Sequence, residues 1–240
     1  DLYLSKKEYP KALEYFQKGN EIMIAIGEDK HPDYSYTCND LGRVHYALGN
    51  YPESIIWQKK ALALLRSIST VDNMDIATVI RYIGRAQLAN LDFEGAIKSF
   101  DEDHKILSNL FGPDSELLQY SNTARADTYK ASYKASGADS LLQKSRSYYR
   151  LSQKSIELQL QKESSADTQK KVLYDAVPIF ERAIAAEILS LKSGSLDPEA
   201  VANAWQLSES MHSYLLFATT REANARHFAG IPDAQLVKDS

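Results

Sequence analysis

Tyr9-Pro10-Lys11-Ala12-Leu13, Tyr51-Pro52-Glu53-Ser54-Ile55 and Phe93-Glu94-Gly95-Ala96-Ile97 stand at intervals of 42 residues. Upstream, Leu41-Gly42-Arg43 and Ile83-Gly84-Arg85 keep the same interval. A fourth copy reads best with the period slipped to 40, as Thr123-Ala124-Arg125 followed by Tyr133-Lys134-Ala135-Ser136. Self-similarity at a fixed period of this size is the mark of a repeat architecture, in which each unit buries its apolar face only by stacking on the next.

Each unit reads as a helical pair. Asp33 is the expected N-cap of a helix reaching about Leu48, with Asp75 and Asp114 as the caps of the next two copies. Gly49-Asn50 breaks the first helix, and Pro52 opens the second at a first-turn position where its missing N–H costs nothing. Ile55, Ile56, Ala61, Leu62, Leu64 and Leu65 then form an apolar stripe at helical spacing. Gly42, Gly84 and Ala124 fall inside first helices, where Gly costs about 1 kcal/mol against Ala. A small residue repeated there implies close helix–helix approach. Tyr9, Tyr51, Phe93 and Tyr133, one per copy, are expected to start the second helices and plug the angle within each pair.

Composition agrees. With 10 Gly and 7 Pro in 240 residues the chain lacks the turn-formers of an all-β protein. Hydrophobic residues at 44% and charged ones at 25% exclude a disordered chain. A net charge of −4 gives no reason to expect nucleic acid. No apolar run approaches the roughly 20 residues of a membrane span, so membrane insertion is not expected. The chain opens on Asp1-Leu2-Tyr3-Leu4, without a leader and in the middle of a helical pattern, which suggests a piece of a longer protein with a cytoplasmic home.

A small residue in the first helix, an aromatic at the turn and Ala12, Ser54, Ala96 or Ser136 three residues later resemble the tetratricopeptide repeat. The 42-residue period, with loops such as His31-Pro32-Asp33 and Gly112-Pro113-Asp114, resembles the longer repeat of kinesin light chains. The resemblance implies an all-α, α-α superhelix (a TPR solenoid) over residues 1–163, continued by a helical extension over 164–240. After residue 138 the repeat decays: one long helix is expected from Asp139 to about Glu163 and, in the extension, another from Ala166 to Lys192, kinked or divided at Pro178. Asp197-Pro198-Glu199 restarts a last helix running towards Phe228. The blocks Ala204–Glu209, Ser213–Leu216 and Ala223–Asp233 resemble the segment before the caspase-like peptidase of bacterial CHAT proteins. That implies a regulatory arm whose catalytic domain would follow Ser240.

Catalysis on these residues is not expected. The lone Cys38 has His31 and His45 seven residues away on either side, about 10 Å along a helix axis and too far for a thiol–imidazole hydrogen bond. The five His are never closer than 14 residues, so no HxxxH pair exists, and the Gly spacing excludes both a GxGxxG turn and a P-loop. The run Asp101-Glu102-Asp103 spreads around a helix as a solvated face. Neither a metal nor another cofactor is expected.

Recognition remains. The groove of such a stack is lined by first helices, which places Tyr36, Asn39, Arg43, Tyr46, Arg81, Tyr82, Arg85 and Arg125 on it. An Arg following each small residue (Arg43, Arg85, Arg125) reads either as a ladder for the carboxylates of a peptide or as a set of ion pairs fixing the stack. The expected partner is a protein or peptide bearing acidic groups. Self-association into a homo-oligomer is the alternative, supported by 15 Tyr and an uncapped first repeat.

Overall fold

The structure, a computed structural model, describes residues 2–192 and 198–212. Among these there is no strand, and the helices pack in adjacent antiparallel pairs, the arrangement of a TPR-like solenoid. The chain forms two compact units, Asp1–Gly137 and Ala138–Ser240.

In the first unit the pairs are α1 (Leu2–Ser5) with α2 (Tyr9–Ala25), α3 (Tyr34–Ala47) with α4 (Tyr51–Ile68), and α5 (Met74–Ala89) with α6 (Phe93–Phe111), followed by α7 (Leu118–Ser136). Each second helix also packs on the following first helix, α4 on α5 and α6 on α7, and α5 touches both α3 and α7. The second unit holds α8 (Asp139–Lys162) packed on α9 (Ala166–Lys192), with a further helix over 198–212. Pro178 lies inside α9 without dividing it. The expected segment from Ser213 to Asp233 lies outside the described residues.

The glycines act as the repeat implied. A Cβ on Gly42 would stand 2.5 Å from Nε2 of Gln58, and one on Gly84 2.7 Å from Cε1 of Phe100. Gln58 and Phe100 are wholly buried and 42 residues apart, so the same contact is made twice with different chemistry. The turn between the helices also recurs. Lys7, Gly49 and Leu91, spaced by 42, adopt left-handed φ of 59°, 80° and 63°.

Two expectations are corrected. The cap of α5 is Asn73, whose Oδ1 accepts the Ile76 N–H at 3.0 Å, while Asp75 lies in the first turn; α7 starts after Leu117, three residues beyond Asp114. An N-cap must hold its own backbone outside the helix, and Asn73 is the residue with extended dihedrals. The fourth copy is the second correction. Buried positions on the first helices run Leu41, Gly42, Val44, then Ile83, Gly84, Ala86, then Arg125, Ala126, Thr128. The interval therefore stays at 42, and Ala126 is the counterpart of Gly84. What slips is the turn: α7 is longer than α3 or α5, and its left-handed residue is Gly137, one helical turn past the 42-residue position. Tyr133 consequently lies within α7 and starts no helix.

Candidate functional site

Arg85 leaves α5 one residue after the Gly84 contact, about 100° around the helix, and reaches Tyr46 on α3. It is exposed, and its guanidinium carbon lies 5.2 Å from the Tyr46 ring centre and 5.7 Å from that of Tyr82. Among the described residues no carboxylate stands within ion-pair distance of it. Arg43, its counterpart on α3, also rests on Tyr82 at 5.7 Å and donates from Nη1 to Oδ1 of Asp40 at 2.7 Å. Tyr46 in turn meets the Tyr51 ring at 5.6 Å with the planes tilted by 54°. Aromatic faces hold a guanidinium by its charge while leaving its N–H edges available.

These side chains surround a cavity of about 460 Å³ lined by Leu4, Ser5, Tyr9, Arg43, Tyr46, Ala47, Tyr82 and Arg85. Its walls come from three successive repeats, with Leu4 and Ala47 beside the two cations Arg43 and Arg85. Of the eight groove residues expected from the sequence, Arg43, Tyr46, Tyr82 and Arg85 share this cavity. Leu4, Ser5, Tyr9 and Ala47 are additions. The signal for Leu4 was present, since it precedes Tyr46 by 42 residues.

The other four lie elsewhere. Arg81 is engaged: its Nε and Nη2 donate to Oδ2 and Oδ1 of Asp103 at 3.1 and 3.0 Å, and its guanidinium lies 5.5 Å from the Tyr120 ring centre. Asp103 is fully buried; burial pushes its carboxyl above the usual range, and the Arg81 fork opposes that rise. Asn39 turns its side-chain oxygen inward, and its backbone carbonyl accepts from Nε2 of Gln58 at 3.0 Å. Tyr36 is exposed and donates to Oδ2 of Asp75 at 3.3 Å, whose charge raises the phenol pKa. Arg125 is buried, with Nε 3.4 Å from Oδ1 of Asp101. It occupies the interior position of Ile83 and Leu41, so the third rung of the expected Arg ladder is turned into the core. Asp127 stands where Arg43 and Arg85 stand.

Comparison with known proteins agrees with this architecture. Residues 1–67 match the tetratricopeptide repeat family. BtubC (BKLC) from P. vanneervenii superposes with a TM-score of 0.59 at 14% identity, over 88% of this chain and 78% of that one. A Podosopora anserina chain of nearly identical TPR-like repeats, of the kinesin light chain kind, superposes with a TM-score of 0.57 at 14% identity, over 93% and 92%. These likenesses define a fold. Clustered mitochondria protein homologs of Aspergillus fumigatus and Neosartorya fischeri are 25% identical over 118 residues, 49% of this chain. The chain spans about a tenth of those relatives, since the match covers 9% of their length.

Proposed function

We propose that this chain is a protein-interaction module whose first unit binds an acidic peptide segment in the Arg85 cavity. The observation that carries the reading is the exposed Arg85 guanidinium, held on two tyrosine rings with no carboxylate partner among the described residues. A guanidinium fork takes a carboxylate through two parallel hydrogen bonds, and Leu4, Ala47 and the tyrosine rings beside it can pack against the neighbouring side chain. Selection from a displayed peptide library tests the reading. Enriched peptides should carry Asp or Glu, and Arg85→Ala should weaken them tenfold or more while leaving thermal stability unchanged. A stability loss with unchanged binding overturns it.

The likeness of Ala204–Asp233 to the segment ahead of caspase-like CHAT peptidases supports a regulatory arm of a larger, cytoplasmic bacterial protein. The gene sequence beyond the codon for Ser240 decides that. Self-association is favoured by a separate observation, the exposed Tyr15, Ile22 and Ile26 along one side of α2 and its C-cap. Light scattering over a concentration series tests it, and a constant monomer mass rejects it.

A further inference from the structure

Ile26, Ile68 and Leu110 stand 42 residues apart, at the C-terminal ends of α2, α4 and α6, and they are 63%, 51% and 41% exposed. The same position of the repeat is thus apolar and open to solvent three times, and Val71 and Phe111, close behind it in the chain, are exposed as well. Single exposed apolar residues are ordinary on a protein surface, whereas a row in register is the mark of an interaction surface. This row is separate from the Arg85 cavity. The cavity lies at the edge where first helices end and second helices begin; the row lies at the opposite edge, a helix length away.

Charge singles out the partner. The segments that leave these helix ends, 27–33, 69–75 and 111–117, hold seven carboxylates against one lysine, Lys30. Glu28, Asp72 and Asp114 are exposed and meet no basic side chain among the described residues. Neighbouring segments lie close together, since the Tyr36 hydroxyl at the start of α3 donates to Oδ2 of Asp75 in the next repeat at 3.3 Å. The edge is therefore apolar and anionic at once, which attracts a cationic partner and repels an anionic lipid surface.

We propose that this edge docks a basic amphipathic helix of a partner protein, independently of the Arg85 cavity. Spacing selects a helix. Successive first helices touch, α3 with α5 and α5 with α7, so one repeat advances close to 10 Å, the upper end of the roughly 8–10 Å between packed helices. An extended segment covers that distance in about three residues, and side chains three apart point to opposite faces. A helix covers it in about seven residues, and side chains seven apart share a face. Apolar residues at every seventh position, with Lys or Arg between them, therefore meet the row and its acidic margins.

Three fluorescein-labelled helical peptides of equal length test this by fluorescence anisotropy against the full chain. The first carries three leucines seven residues apart with lysines between them. The second keeps the leucines and replaces the lysines by glutamines; the third keeps the lysines and scatters the leucines around the helix. The first is expected to bind at least tenfold tighter than either of the others. Ile68→Ser combined with Leu110→Ser should weaken it tenfold or more, and Asp72→Asn combined with Asp114→Asn should weaken it and flatten its salt dependence. Thermal melting shows whether each variant folds; should the serine pair fail to fold, Val71→Ser in the loop makes the same test with the same expected loss. Equal binding of the first and third peptides would reduce the effect to attraction towards a chain of net charge −4 and overturns the proposal. Equal binding of the first and second removes the acidic margin and overturns it too, as does an affinity that none of these variants changes. Co-sedimentation of the chain with phosphatidylserine vesicles, lost in the serine variants, would assign the row to a membrane instead. A dimer by light scattering that the same variants abolish would assign it to a second copy of the chain, and either result rejects the partner helix.

Discussion

The guanidinium of Arg81 on α5 grips the buried carboxylate of Asp103 on α6 through two hydrogen bonds, at 3.1 and 3.0 Å. One repeat earlier the corresponding residues are Asn39 and Ala61, and Ala61 is equally buried. A solvent-poor ion pair has thus been fitted where the preceding repeat is content with a methyl group. Removing one partner strands the other, a loss of roughly 2–4 kcal/mol. Asp103→Ala should lower the melting temperature strongly. The double variant Arg81→Asn with Asp103→Ala, which imports the earlier repeat's pair, should recover most of the loss. A double-mutant cycle by thermal melting checks this, and additive losses would show that the two residues act independently.

The two helix glycines should differ in what they tolerate. An added Cβ at position 84 would run into the Phe100 ring, whereas at position 42 it would meet the unbranched Gln58 side chain. Alanine gains about 1 kcal/mol of helix propensity at either site, against an overpacking cost of about 1–3 kcal/mol. Gly84→Ala should be clearly destabilising, and Gly42→Ala less so. Chemical denaturation of the two variants side by side gives the order.

Leu91 sits in the turn with φ of 63° and is highly exposed, so its backbone is strained while its side chain contributes little packing. Left-handed backbone costs a non-glycine residue roughly 1–2 kcal/mol. Leu91→Gly, the residue that position 49 already carries, should raise stability by about 0.5–1 kcal/mol. A fall in melting temperature would show that the Leu91 side chain matters more than its backbone.

His104 on α6 shares a 3.0 Å hydrogen bond with Ser121 Oγ on α7, and burial, helped by the Arg125 charge, pushes its pKa down to about 4. The folded state then binds fewer protons than the unfolded chain between about pH 4 and the ordinary His value near 6.5. Stability should therefore fall as pH drops through that window, with a slope approaching 1.4 kcal/mol per pH unit as an order-of-magnitude limit. Asp103, whose carboxyl is raised, works in the opposite sense near the carboxylate range. The difference between wild type and His104→Gln isolates the histidine, and denaturation midpoints at pH 7.5, 6 and 5 measure it. A constant difference across the three would show that His104 is not held neutral by the fold.

The repeat was legible because its signals are local and steric. A glycine inside a helix, a proline at a first turn and an aromatic at fixed spacing each constrain the backbone through the residue itself, so α2, α4, α6, α8 and α9 begin where the sequence predicts. Gly42 and Gly84 announced close packing, although neither says whether Gln58 or Phe100 fills the gap. Tertiary structure decided what depends on distant residues. Whether Arg81, Arg85 or Arg125 meets a carboxylate rests on side chains of other helices, and no spacing rule carries that. The fourth repeat shows why. Matching Arg125 to Arg85 looks compelling letter by letter, yet the packed face keeps its 42-residue interval and turns Arg125 inward, leaving Asp127 at the repeat position that Arg43 and Arg85 hold. Burial is a property of the whole stack, and it fixed the register that charge alone misread.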